Sequence, residues 1–141
     1  TTIHANDTRD ALSRLEVMVA MTGYELPIHV VRQYIASGIK LVVHVARLKG
    51  GQRKVTRISE IVAARDDQFV VEDIFGFEQT GVSEDGRATG TWFTTGYRPQ
   101  CLARFRSAGV FVSDSMFEPR NMDAVNANRG ERRVRVATAA S

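Results

Sequence analysis

Two hydrophobic periodicities divide the chain. Up to about Ile35 apolar residues recur at three- and four-residue intervals, and from Leu41 to Thr94 they alternate with polar ones, so helices are predicted first and strands after them. A first helix is predicted from a cap at Asn6, Asp7 or Thr8, with Ala11, Leu12, Leu15, Met18 and Val19 as its apolar stripe and Asp10 one turn from Arg14. Gly23 ends it. Pro27 suits the opening turn of a second helix that aligns Ile28, Val31 and Ile35, with Tyr34 beside them, and closes at Gly38.

The alternating region predicts an antiparallel meander. Leu41, Val43 and Val45 share one strand face and Val42, His44 and Ala46 the other, a pattern that predicts a largely buried strand. Leu48 to Gln52 forms a hairpin connection, Val55 to Val62 the next strand, Arg65 to Gln68 a second turn, and Phe69, Val71, Asp73, Phe75 and Phe77 one side of a third strand. After a polar, glycine-flanked loop from Gly81 to Gly86, Thr89 to Thr94 adds a short strand. Pro99 opens a closing helix with Leu102, Phe105 and Ala108 turned inward and Gly109 at its end. Beyond Pro119 large apolar residues nearly vanish, which predicts a disordered basic tail over 119–141 behind an ordered unit over 1–118. No internal repeat is present.

Composition narrows the function classes. The length of 141 residues and 43% apolar content are those of one modest globular domain. A single cysteine, Cys101, excludes an intrachain disulfide and points to a reducing, cytoplasmic setting. The longest apolar stretch, around Leu41 to Leu48, is interrupted by His44 and Arg47 and is far too short to span a membrane. The formal charge of +3 arises in the tail, where Arg120, Arg129, Arg132, Arg133 and Arg135 face only Asp123 and Glu131. Residues 1–118 are therefore neutral overall, which disfavours a folded nucleic-acid groove and leaves salt-sensitive binding by the Arg129 to Arg135 tail as a lesser reading.

No complete catalytic constellation can be assembled from the residues. The chain has no GxxxxGK[ST] phosphate loop, and its glycines at 50–51 and 81–86 do not precede a helix as a phosphate cradle requires. His4, between a short extended segment and a helix start, is placed to donate a hydrogen bond to a phosphate; taken alone, it better fits an exposed histidine of no special role. His29 is expected on a helix surface, His44 as a hydrogen-bonded core or interface histidine, and Cys101 as a structural thiol. Arg47, Arg53 and Arg57 cluster around the first hairpin, where a guanidinium could reach a phosphate bound next door or simply line a solvated face. Asp66, Asp67, Glu72 and Asp73 fall on a turn and on opposite faces of a strand, so turn chemistry accounts for them better than paired catalysis. Trp92 and the phenylalanines at 69, 75, 77 and 93 have the alternate spacing of sheet packing rather than of base stacking.

Several ordered segments resemble one family. Thr1-Thr2-Ile3-His4-Ala5-Asn6 resembles the end of the His box of secretion and pilus-assembly traffic ATPases. Arg9 to Glu16, Arg32 to Ser37, Arg53 to Ile61, Asp73 to Gly81 and Gly96 to Pro99 extend the similarity to about residue 112. Together they look like the C-terminal third of the CpaF-like ATPases of tight-adherence (Flp-type) pilus assembly, within the type II/IV secretion superfamily. The resemblance implies an α/β fold, the C-terminal part of a RecA-like P-loop ATPase domain, built here from two helices, an antiparallel β meander and a closing helix. It implies a homo-hexamer, peripheral at the cytoplasmic side of the inner membrane, working with inner-membrane pilus or secretion platform proteins and hydrolysing ATP with Mg²⁺ in the full-length protein. His4 then corresponds to the His-box nucleotide sensor and is the catalytic candidate, and Arg14 falls on the family's recurrent arginine after that box. Arg14, Arg47, Arg53 and Arg57 are the candidates for inter-subunit or phosphate contacts.

The departures from the family pattern are large: the P-loop, Asp box and Walker B carboxylate are absent, so this segment alone is expected to bind no cofactor and to be inactive. With no methionine before Thr1, the expectation is that the natural start lies upstream. The rival reading is a non-catalytic α+β protein-interaction module.

Overall fold

The alternation along one strand organises the molecule. In the computed structural model, which describes residues 1–65 and 67–122, the helices α1 (Thr8–Ala20) and α2 (Ile28–Gly38) precede the strands β1 (Leu41–Arg47), β2 (Arg53–Arg65), β3 (Gln68–Val82) and β4 (Ala88–Thr94). A short helix α3 (Leu102–Ser107), a 3-10 turn (Asp114–Phe117) and a two-residue strand β5 (Arg120–Asn121) follow. Every strand pairs antiparallel with the next, in the order β1-β2-β3-β4-β5. The chain is thus mixed helix and sheet, with an antiparallel meander compatible with the α+β class.

Both faces of β2 are covered, and its alternate residues divide between two cores. On one face Ile61 packs with Leu12 of α1 and Ala36 of α2, supported by Leu15, Ile35, Val42, Phe69 and Val71. On the other, Ile58 joins Ile74, Leu102 of α3 and Phe117 of the 3-10 turn. Aromatic packing extends this second side, with Phe75 5.9 Å from Phe117 and Phe77 4.9 Å from Trp92 between ring centroids. The phenylalanines and Trp92 therefore pack on the sheet, as their spacing predicts.

Local signals place the ends of the elements. The Asp7 carboxylate caps α1 by accepting from the Asp10 N–H at 2.8 Å, so of the three polar residues available Asp7 is the cap. Gly50 and Gly51 both take positive φ in the β1–β2 turn, and Gly50 has no room for a side chain because its backbone lies against the Gly86 carbonyl.

Four expectations are corrected. β1 is not largely buried: it is an edge strand whose Leu41, Val43 and Val45 are 42%, 55% and 53% exposed, because little packs over the face they share, while Val42 on the other face packs against the helices. The α1 stripe reaches the core only through Ala11, Leu12 and, partly, Leu15 and Val19, while Met18 is exposed because the sheet underlies the first half of the helix. The closing helix has six residues and buries only Leu102; Phe105 and Ala108 are exposed since the chain turns away at Gly109, and Phe117 fills the core instead. Finally, order does not end at 118. Arg120–Asn121 pairs with Phe93–Thr94, Thr94 Oγ1 accepts from the Arg120 N–H at 3.0 Å, and the Met122 N–H donates to the Trp92 carbonyl at 2.6 Å. The rest of the predicted tail, 123–141, lies outside the described residues.

Candidate functional site

The segment Thr1–Asn6 runs without regular structure into α1 and is tied to it by one carboxylate. Asp10 accepts from the backbone N–H of Asn6 at 2.8 Å, from the Asn6 side-chain amide at 3.1 Å and from Arg14 Nε at 3.1 Å. It thereby reaches back over the start of its own helix, satisfying an N–H ahead of the cap. The Asn6 N–H and then the Arg14 guanidinium hold the Asp10 carboxyl below the usual carboxylate range.

His4 is exposed on this segment, between two clefts. One, of about 320 Å³, lies between the segment, α1 and β1, and is also lined by His44. The other, wider and open, is bounded by His4, Asp10, Arg14 and the apolar Val17 and Met18. The structure therefore brings His4 and Arg14 to one surface, with Asp10 fixing the arginine. An imidazole just ahead of a helix and a guanidinium in its second turn can together hold an anionic group, both as hydrogen-bond donors and the second as a permanent charge.

The other arginines lie elsewhere. Arg47 and Arg53 oppose each other at the β1–β2 turn, where Arg47 Nε donates to the Gly51 carbonyl at 3.2 Å. Arg57 is engaged: its Nη1 is 2.6 Å from Asp73, which also accepts from Ser59 Oγ at 2.7 Å. The remaining histidines match their structural readings. His29 is exposed on α2, and half-buried His44 shares a 2.8 Å hydrogen bond between Nδ1 and Thr56 Oγ1. Asp67 takes the left-handed backbone in the β2–β3 turn and faces Arg32. Asp66 and the arginines of the Arg129 to Arg135 tail lie outside the described residues.

Sequence reasoning passed over Glu60. Its carboxylate, 2% exposed, accepts from the Tyr97 hydroxyl at 2.7 Å and from the backbone N–H groups of Gln100 and Cys101 at 2.8 and 2.9 Å. It thus anchors the chain entering α3 to the centre of the sheet. A glutamate that alternates with Ile58 and Val62 along one strand face was the available signal. Burial, followed by the Glu60 hydrogen bond, pushes the Tyr97 phenol well above its ordinary range, and burial followed by the Glu60 charge pushes the Cys101 thiol up. Thiolate, the reactive form, is suppressed accordingly. At pH 8, Cys101 of the folded protein is expected to react with a disulfide reagent about tenfold more slowly than in the urea-unfolded chain; equal rates would contradict a neutral, held thiol.

Among the described residues no three His, Cys, Asp or Glu side chains converge as metal ligands, and no helix is long and apolar enough to cross a membrane. No described helix start is preceded by a glycine cradle for a triphosphate. The described residues do not fit a complete Mg²⁺-nucleotide site, and only the His4 and Arg14 surface suits part of one. The chain matches no protein-family model, and no curated protein shows significant similarity to it.

Proposed function

We propose that this chain is the C-terminal part of a RecA-like secretion or pilus-assembly ATPase, and that His4 is its sensor for the terminal phosphate of ATP. The observation that carries the reading is the joint placement of His4 and Arg14 on one surface, braced by Asp10 at the start of α1. The resemblance of Thr1–Asn6 to a His box supports the same assignment. In this reading the phosphate loop, the magnesium ligands and the attacking water's base belong to other parts of a longer, hexameric protein at the cytoplasmic side of the inner membrane. His4 donates to the phosphate, and loss of that phosphate on hydrolysis changes the pull on the segment leading into α1. Through the Leu12 contact, the change reaches α2 and the sheet that neighbouring subunits and platform proteins would meet.

The test is ATP hydrolysis by the protein carrying its upstream sequence. His4→Ala is expected to lower turnover roughly 10- to 100-fold, the value of one hydrogen bond to a charged group, with ring assembly by sedimentation unchanged. Absence of ATP turnover in that longer protein, or unaltered turnover in the variant, would refute the sensor assignment. A second reading, a non-catalytic interaction module, is favoured by the exposed Val17, Met18, Met21 and Tyr24 around α1. It predicts partner binding indifferent to nucleotide and to His4→Ala.

A further inference from the structure

Between Glu25 and Glu60 the chain holds no aspartate or glutamate, while seven lysines and arginines fall in that interval. Those at 40, 47, 49 and 53 border β1, an end strand of the sheet whose outer side pairs with no other described strand. Among the described residues no carboxylate lies within ion-pair distance of Arg47, Lys49 or Arg53. Their positive charge at the hairpin end is therefore uncompensated, although residues 1–118 are neutral overall.

The edge between these charges is apolar. Leu41, Val43 and Val45 alternate on its exposed face, and together with Val42 and His44 they line the cleft of about 320 Å³ that runs beside the strand towards the N-terminal segment. An unpaired strand edge offers a row of backbone donors and acceptors, and an extended chain laid beside it gains main-chain hydrogen bonds while its alternate side chains reach the exposed valines. Charge selects among the chains that could do so. A second copy of β1, in either direction, sets basic residues near basic residues, since Lys40 and Arg47 flank the strand at both ends. An acidic segment meets complementary charge at each end.

We propose that the free edge of β1 docks an extended peptide segment of alternating apolar residues flanked by acidic ones, which adds as a new strand and sets its carboxylates against Arg47, Lys49 and Arg53. This inference does not rest on the nucleotide-sensing reading: it needs no phosphate contact from His4 or Arg14, although His4 borders the same cleft.

The probe is a fluorescein-labelled peptide of alternating valine and threonine with aspartates at both ends, compared by anisotropy with the same peptide ending in lysines. The aspartate peptide is expected to bind about tenfold more tightly at low salt, with the advantage shrinking as salt rises. N-methylation of its alternate residues should abolish binding by removing main-chain donors. The double variant Arg47→Glu/Arg53→Glu should reverse the preference, and Val43→Lys, at a 55% exposed position, should weaken both peptides. Equal affinity for the two peptides on the unaltered protein, or full affinity after N-methylation, would overturn the proposal. So would a concentration-dependent dimer that Val43→Lys dissolves, which would assign the edge to a second copy, or equally tight competition by a single-stranded oligonucleotide, which would make the hairpin a general polyanion surface.

Discussion

Replacing Glu60 by alanine is expected to lower the unfolding free energy by about 3 kcal/mol, the scale of breaking a buried charged contact. The carboxylate holds the Tyr97 hydroxyl and two backbone N–H groups at the start of α3, all of which would lose their acceptor inside the protein. Glu60→Gln should fail nearly as badly, because one carbonyl oxygen cannot serve both N–H groups and the amide presents a donor to them. The measurement is urea unfolding, where the midpoint should fall with little change in slope. Tyr97→Phe removes one hydrogen bond and should lose about 1 kcal/mol. A Glu60→Ala protein as stable as the parent would show that α3 is held by its apolar contacts alone.

The same network carries a pH dependence with a definite sign. The Tyr97 pKa is raised in the folded protein, so its contribution is fully present below the ordinary phenol value near 10.0 and is lost as pH rises through the folded value. Cys101 acts in the same direction above its ordinary value of 9.0. Stability should therefore fall above roughly pH 9 to 10, and Tyr97→Phe combined with Cys101→Ser should flatten that fall.

Leu12→Ala is expected to lose a further ~3 kcal/mol, from lost transfer energy and the cavity left between α1, α2 and β2. Leu12 is 2% exposed and meets Ala36 and Ile61, so it fastens the helix into which the segment bearing the proposed sensor runs. In thermal unfolding this corresponds to a fall in Tm of roughly 10 °C for a domain of this size. Arg14→Ala, which removes an exposed ion pair, should change stability by less than ~1 kcal/mol. A loss from Arg14→Ala as large as that from Leu12→Ala would mean that Arg14 serves the fold rather than an anionic group.

Local chemistry made the elements legible. Asp7, Gly23 and Pro27 mark the helix ends, and the paired glycines at 50–51 mark the first hairpin, because caps and positive-φ turns depend on neighbours in sequence. The N-terminal part of the candidate site was legible for the same reason: Asp10 and Arg14 sit one helical turn apart, close to His4 in the chain. The extent of burial was not. An alternation such as Leu41 to Arg47 looks alike in a covered strand and in an edge strand, since strand periodicity reports which residues share a face and not whether anything covers it. Phe105 and Phe117 show the same limit, as either could have filled the space beside Leu102 and Ile74.

By itself, then, the sequence determined the order of two helices, a meander and a closing helix, together with the capped entry that places Asp10 beside Arg14. Tertiary structure alone decided that both faces of β2 are covered, that Glu60 is therefore buried and must find three donors, and that β1 is left with an open, basic-flanked edge. The physical reason is range: caps, turns and periodicity act over a few residues, whereas burial and pairing depend on elements distant in the chain, as Glu60 and Tyr97 are.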